Sequence, residues 1–215
     1  MKNSMLRTVK SVLQLGCWIV VLGNVLPAFG DDSDVIQIEE HWQLHVGGPD
    51  LGRTAPQVTM IMSPTNTLNG AFFAFTLNHW SYPEFEPGGY QLQLWQGENC
   101  VDVKHGAHSN SFANDGETIT WVQRITLNEG SLKFQVVDGQ SESWGSFGNE
   151  GFCLDISSQL TRLNSYLPAI SLGQSGIGYA GNRVSSLTLT RLRWVTKDGV
   201  EHEMVAPIDI DTDLD

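Results

Sequence analysis

Beyond residue 30 the chain keeps no apolar stretch of useful length on the 3.6-residue period of a helix. It carries instead about ten short runs in which apolar residues alternate with polar ones or cluster between Gly, Asn, Asp and Pro. Trp42, Leu44 and Val46 alternate with His41, Gln43 and His45. Val58 to Met62 is a short apolar run stopped by Ser63-Pro64, and the Phe-rich run from Ala71 to Leu77 reads as buried. Leu92 and Leu94 share one face of Tyr90 to Trp95, and Ile119, Trp121, Gln123, Ile125 and Leu127 share one face of Thr118 to Leu127. The best helix candidate is two turns at Ile156 to Leu163. Asn128-Glu129-Gly130, Asp138-Gly139 and Lys197-Asp198-Gly199 follow strand runs and predict hairpin turns. Strands at this spacing, with neither repeats nor linkers, predict an all-β fold of two packed antiparallel sheets.

The first thirty residues stand apart. Lys2, Arg7 and Lys10 precede an uncharged, mostly apolar run from Val12 to Leu26, which closes on Pro27-Ala28-Phe29-Gly30. That order predicts a cleaved secretory signal peptide at 1–30, a β-sandwich domain at 31–206 and an acidic tail at 207–215. The apolar run is roughly 15 residues, short of the ~20 that span a bilayer. Leu15-Gly16-Cys17 is a poor lipid-attachment site, because the apolar run continues past Cys17. The mature chain is therefore expected outside the cytoplasm, secreted or periplasmic.

Cleavage removes three cations and no acid. It leaves 9 Lys and Arg against 24 Asp and Glu, a formal charge of −15. Such a chain repels phosphate backbones and anionic membrane surfaces, so neither nucleic acid nor membrane is expected as a partner. Cys17 leaves with the leader. Cys100 and Cys153 remain in an oxidising compartment and predict one disulfide, closing a loop of about 52 residues and stabilising by about 4 kcal/mol.

Six of the seven Trp lie beyond the leader. Trp42, Trp121 and Trp194 fall in alternating strands and are expected in the core. Trp80 and Trp144 fall among turn residues, where a ring can stack on the apolar face of a sugar or plug the end of the sandwich. The sugar reading takes Trp80, Tyr82 and Trp144 for stacking, with Asn78, Asn110 and Asn149 bonding hydroxyls. Gly176, Gly178 and Gly181 have the spacing of a dinucleotide fingerprint, but a strand pattern follows them where a helix is required. They are expected to let strands approach closely or bulge.

Catalytic and metal chemistry find little support. Glu84 and Glu86 would share a strand face, as a retaining glycosidase needs, but Pro83 and Pro87 place them on a solvated loop. Asp209, Asp211, Asp213 and Asp215 lack the Gly and distal Glu of an EF-hand. His41 and His45 share a face about 13 Å apart, too far for one ion. Asp102, His105 and His108 lie close in sequence and are the remaining metal candidates. No cofactor is required by any motif. Calcium is the one that the acidic surplus would suit, on loop Asp side chains and backbone carbonyls.

In its layout over about Val35 to Val205, with Thr118–Gly148, Gly178-Tyr-Ala-Gly-Asn-Arg-Val184 and the long strand to Val195, the chain resembles concanavalin-A-like (laminin-G-type) domains. It also resembles secreted proteins of planctomycete-type bacteria. The resemblance implies a jelly-roll sandwich that binds glycans or other extracellular ligands, sometimes with calcium. The Glu-x-Asp-x-Glu signature of the family's glycosidases is absent. The expected function is a secreted, non-catalytic binding module for carbohydrate or another surface ligand. The alternatives are a polysaccharide-active hydrolase or lyase using Glu84 or Glu86, and a structural protein of the cell envelope.

Overall fold

The computed structural model describes residues 33–47, 56–77, 89–107, 116–205 and 207–210. Among the described residues, thirteen strands form two antiparallel sheets that pack face to face. The larger sheet runs β12 (Glu201–Met204), β11 (Val184–Thr196), β1 (Val35–Val46), β6 (Thr118–Asn128), β7 (Ser131–Ser141), β8 (Gly145–Phe147). Two further strands join it: β13 (Ile208–Asp209) on β11 and β9 (Cys153–Ser157) on β7. The smaller sheet runs β10 (Gly176–Tyr179), β2 (Gln57–Met62), β3 (Ala71–Leu77), β4 (Gly89–Gln96), β5 (Asn99–Ala107). The expected two-sheet, all-β sandwich is therefore what the chain forms.

Alternation along the strands builds the core. Ile38, Trp42, Leu44 and Val46 of β1 and Ile119, Trp121 and Ile125 of β6 point inward and are buried. The rings of Trp42 and Trp121 stack with centroids 6.3 Å apart. Phe73 of β3 stacks on Phe134 of β7 at 4.8 Å, joining the two sheets. Each such fully buried side chain contributes roughly 1.5–3 kcal/mol. A smaller apolar cluster lies on the outer face of the five-stranded sheet. There Phe72, Ala74 and Trp95 pack with Ile61 of β2 and Leu68 of the β2–β3 connection.

Several local expectations change. Asp138-Gly139 is not a turn; β7 runs through it to Ser141, with a register shift opposite Val122 and Gln123. A Cβ on Gly139 would lie 2.4 Å from the Phe147 ring, so the glycine makes room for that side chain instead of turning the chain. Ile156 to Leu163 is not helical either. It is the end of β9 and an irregular segment, and the helix among the described residues is α1 (Pro168–Gln174), with a proline opening it. Gly130 and Gly199 take positive φ in the two hairpins that do form. Gly178 marks a bulge between β10 and β2, as the spacing of the glycines suggested. The start of the tail belongs to the sheet: Asp209 Oδ1 accepts the Leu187 N–H at 3.0 Å.

The predicted disulfide does not form. Cys100 and Cys153 are both free. Each thiol turns along its own strand, Cys100 toward the Asp102 carbonyl at 3.6 Å and Cys153 toward Asp155 Oδ2 at 3.7 Å. Burial pushes the Cys100 thiol up from its ordinary value, so it is not a ready nucleophile.

Candidate functional site

Two clefts on the described surface differ in what their polar groups are already doing. The first lies on the outer face of the eight-stranded sheet, about 200 Å³, lined by Gln37, Glu39, Arg124, Arg193 and Glu201 among others. Its floor is Glu39, placed outward by the phase that sends Glu40 inward, and its cross-strand neighbours are Arg124 on β6 and Arg193 on β11. Arg124 reaches Glu39 Oε1 through both Nε, at 2.8 Å, and a terminal nitrogen, at 2.7 Å. Arg193 bridges Glu39 at 3.4 Å and Glu201 at 2.7 Å.

His41 sits on the same face, its Nε2 3.5 Å from Glu39 Oε2, close enough for electrostatic attraction though it makes no hydrogen bond there. Arg191 donates to His41 Nδ1 at 3.2 Å. A guanidinium only donates, so the ring proton lies on Nε2, facing Glu39. His41, with Arg124 and Arg193, holds the Glu39 carboxyl at about 2, against the opposing cost of burial. The charges run Arg124, Glu39, Arg193, Glu201 across the sheet, each answered by the next. This face is a cross-strand ion ladder whose groups already satisfy one another.

The second cleft, about 290 Å³, lies at the end of the sandwich where several connections gather. Leu132, Ile156, Leu160 and Ala71 give it an aliphatic lining, while Thr65, Gln96, Ser157, Ser158 and Gln159 supply hydroxyls and amides. Its walls are pinned by their own backbones. Ser63 Oγ donates to the Thr67 carbonyl at 2.7 Å and Thr65 Oγ1 to the same carbonyl at 3.1 Å. The Ser158 N–H donates to the Gly130 carbonyl at 2.9 Å and Ser158 Oγ accepts from Leu160 at 3.1 Å. The side chains of Gln96, Ser157 and Gln159 are exposed and make no hydrogen bond among the described residues. Unlike the ion ladder, this cleft offers donors and acceptors that are not committed elsewhere. An aliphatic surface rimmed by a few convergent polar groups is the make-up of a small-ligand site.

The expected stacking set is only partly on view. Asn78, Trp80, Tyr82 and Asn110, with Glu84, Glu86 and His108, lie outside the described residues. Trp144 is described, and the expectation of a ring open to ligand does not hold for it. The residue is 8% exposed, and its ring packs against Tyr90 and Phe147 in the core. Glu117 causes this: its buried carboxylate accepts from the Ser141 hydroxyl, the Ser143 N–H at 2.8 Å and the Ser143 hydroxyl at 2.5 Å. The turn so fixed directs Trp144 inward. Asn149 is exposed, but its Oδ1 accepts the Gly151 N–H at 2.8 Å and closes a local turn.

Among the described residues, no group of three or more His, Cys, Asp or Glu gathers as a metal set. His105 pairs across the strands with Gln91, while Asp102 Oδ1 accepts the Val103 N–H at 2.8 Å. Three residues apart on β5, they point to opposite faces. Trp194 is only half-buried and stacks on His202 at 5.3 Å.

Sequence reasoning passed over the end cleft because its residues are ordinary and come from separate connections. It also passed over Glu40. That carboxyl is fully buried in the core, where it accepts from Gln123 Nε2 at 2.6 Å, Trp42 Nε1 at 2.9 Å and the Tyr166 hydroxyl. Burial pushes it up from the ordinary value, against these hydrogen bonds. Ser171 Oγ is buried too, with no partner at hydrogen-bonding geometry. The Tyr166 hydroxyl is likewise driven well up, by burial and then by Glu40. The set is buried and lines neither of the two clefts, which marks it as structural.

No protein-family model matches the chain, and no curated protein matches it. None of the helices among the described residues is long and apolar enough to cross a membrane.

Proposed function

We propose that this chain is a secreted, non-catalytic carbohydrate-binding module on a jelly-roll sandwich of the concanavalin-A-like kind, with its ligand in the cleft at the end of the sandwich. The observation that carries this reading is the set of uncommitted amides and hydroxyls of Gln96, Ser157 and Gln159 over the aliphatic surface of Leu132, Ile156 and Leu160. A sugar ring presents the matching surface, a C–H face and a rim of hydroxyls. The charged-then-apolar pattern of residues 1–30 supports export, and the lack of an acid pair among the described residues lining this cleft supports binding over hydrolysis.

The test is a glycan array followed by titration calorimetry on the best neutral binder. Gln96→Ala with Gln159→Ala should weaken binding at least fivefold, with unchanged far-ultraviolet circular dichroism. Trp144→Phe should leave binding within twofold. Silence across diverse glycans, or binding indifferent to the double variant, would refute the proposal.

A further inference from the structure

We infer that the end cleft selects uncharged sugar residues and rejects their acidic counterparts. This inference rests on the carbohydrate reading above and deepens it. Among the described residues, none of the side chains lining the cleft is charged. A carboxylate or sulfate entering it would leave water and find amides and hydroxyls, but no guanidinium or ammonium. An anion moved from water without a cationic partner loses far more than such neutral donors return.

The arginines that might have supplied the partner are elsewhere and occupied. Arg124 and Arg193 hold Glu39, Arg193 also holds Glu201, and Arg191 holds Glu203 at 3.7 Å. Arg162, two residues beyond Leu160, is not among the cleft's lining residues and holds Asp34 at 3.5 Å. The whole chain carries a formal −12, so the long-range field also opposes an anion. A neutral sugar feels neither effect. Its hydroxyls exchange water for the Gln96 and Gln159 amides and the Ser157 hydroxyl at little cost, which suits the cleft's chemistry.

The deciding experiment uses matched ligands. Each neutral oligosaccharide that binds is compared with its C6-oxidised form, in which a carboxylate replaces the primary alcohol, and with the methyl ester of that form. Calorimetry should show the carboxylate binding at least tenfold more weakly, the ester recovering most of the loss, and the deficit persisting in 0.5 M salt. Gln159→Arg, at an exposed position, should narrow the gap between neutral and acidic ligands at least threefold. Equal or tighter binding of the carboxylate, an ester as weak as the acid, or a gap unmoved by Gln159→Arg would overturn charge selection while leaving carbohydrate binding in place. Failure of every glycan, neutral and acidic, would overturn the carbohydrate reading itself.

Discussion

Glu39 and Glu40 are consecutive residues of β1, and both are buried, at 5% and 0% exposure. Their carboxyls nevertheless move in opposite directions, Glu39 down to about 2 and Glu40 up. Low surface exposure alone does not separate them: Glu40 lies deep in the core, where desolvation dominates and its partners are neutral, whereas Glu39 lies nearer the surface beside His41 and two guanidiniums. Glu39, on the outer face, meets two guanidiniums and an imidazole. Glu40, on the core face, meets an indole, an amide and a phenol, all neutral. Hydrogen bonds from neutral donors satisfy a buried carboxyl geometrically without compensating the cost of ionising it.

The sharpest way to break this contrast is Glu40→Ala. It strips the acceptor from Trp42, Gln123 and Tyr166 at once and opens a cavity, so chemical denaturation should show a loss of about 3–5 kcal/mol. Glu39→Ala leaves Arg124 and Arg193, which are 24% and 35% exposed and rehydrate, so the loss should be smaller, about 1–2 kcal/mol. If Glu39→Ala proved the costlier, the assignment of roles to the two faces would be wrong.

A subtler test uses pH. The ordinary carboxyl value is 4.5. Glu39, whose value is lowered, contributes stability that is present above 4.5 and lost as pH falls toward 2. Glu40, whose value is raised, contributes stability that is complete below 4.5 and lost as pH climbs through its folded value. Urea melts across pH should therefore show Glu39→Gln flattening the acid limb and Glu40→Gln flattening the limb above 4.5. An unchanged upper limb in Glu40→Gln would mean that Glu40 does not titrate there.

Much of this was legible in the chain. The phase of Trp42, Leu44 and Val46 already puts position 40 on the core face, and that of Ile119, Trp121 and Ile125 does the same for Gln123. Their meeting was not legible, because Gln123 and Tyr166 lie 83 and 126 residues away from Glu40. Nothing local reports such a contact, and a carboxyl on a core face is normally discounted. Asp138-Gly139 misleads for a related reason: the Phe147 ring, supplied by a later strand, decides what the glycine is for. The end cleft was illegible because it exists only once separate connections gather, and no one of its residues is unusual alone.

The short strands β8, β9, β12 and β13 have a consequence for solubility. β7 is flanked on its outer side by β8 and β9, and β11 by β12 and β13, each two to five residues long. The eight-stranded sheet thus ends on both sides in interrupted borders rather than one continuous row of open amides and carbonyls. A neighbouring molecule finds no long template there along which to add a strand. Such borders guard against cross-β growth.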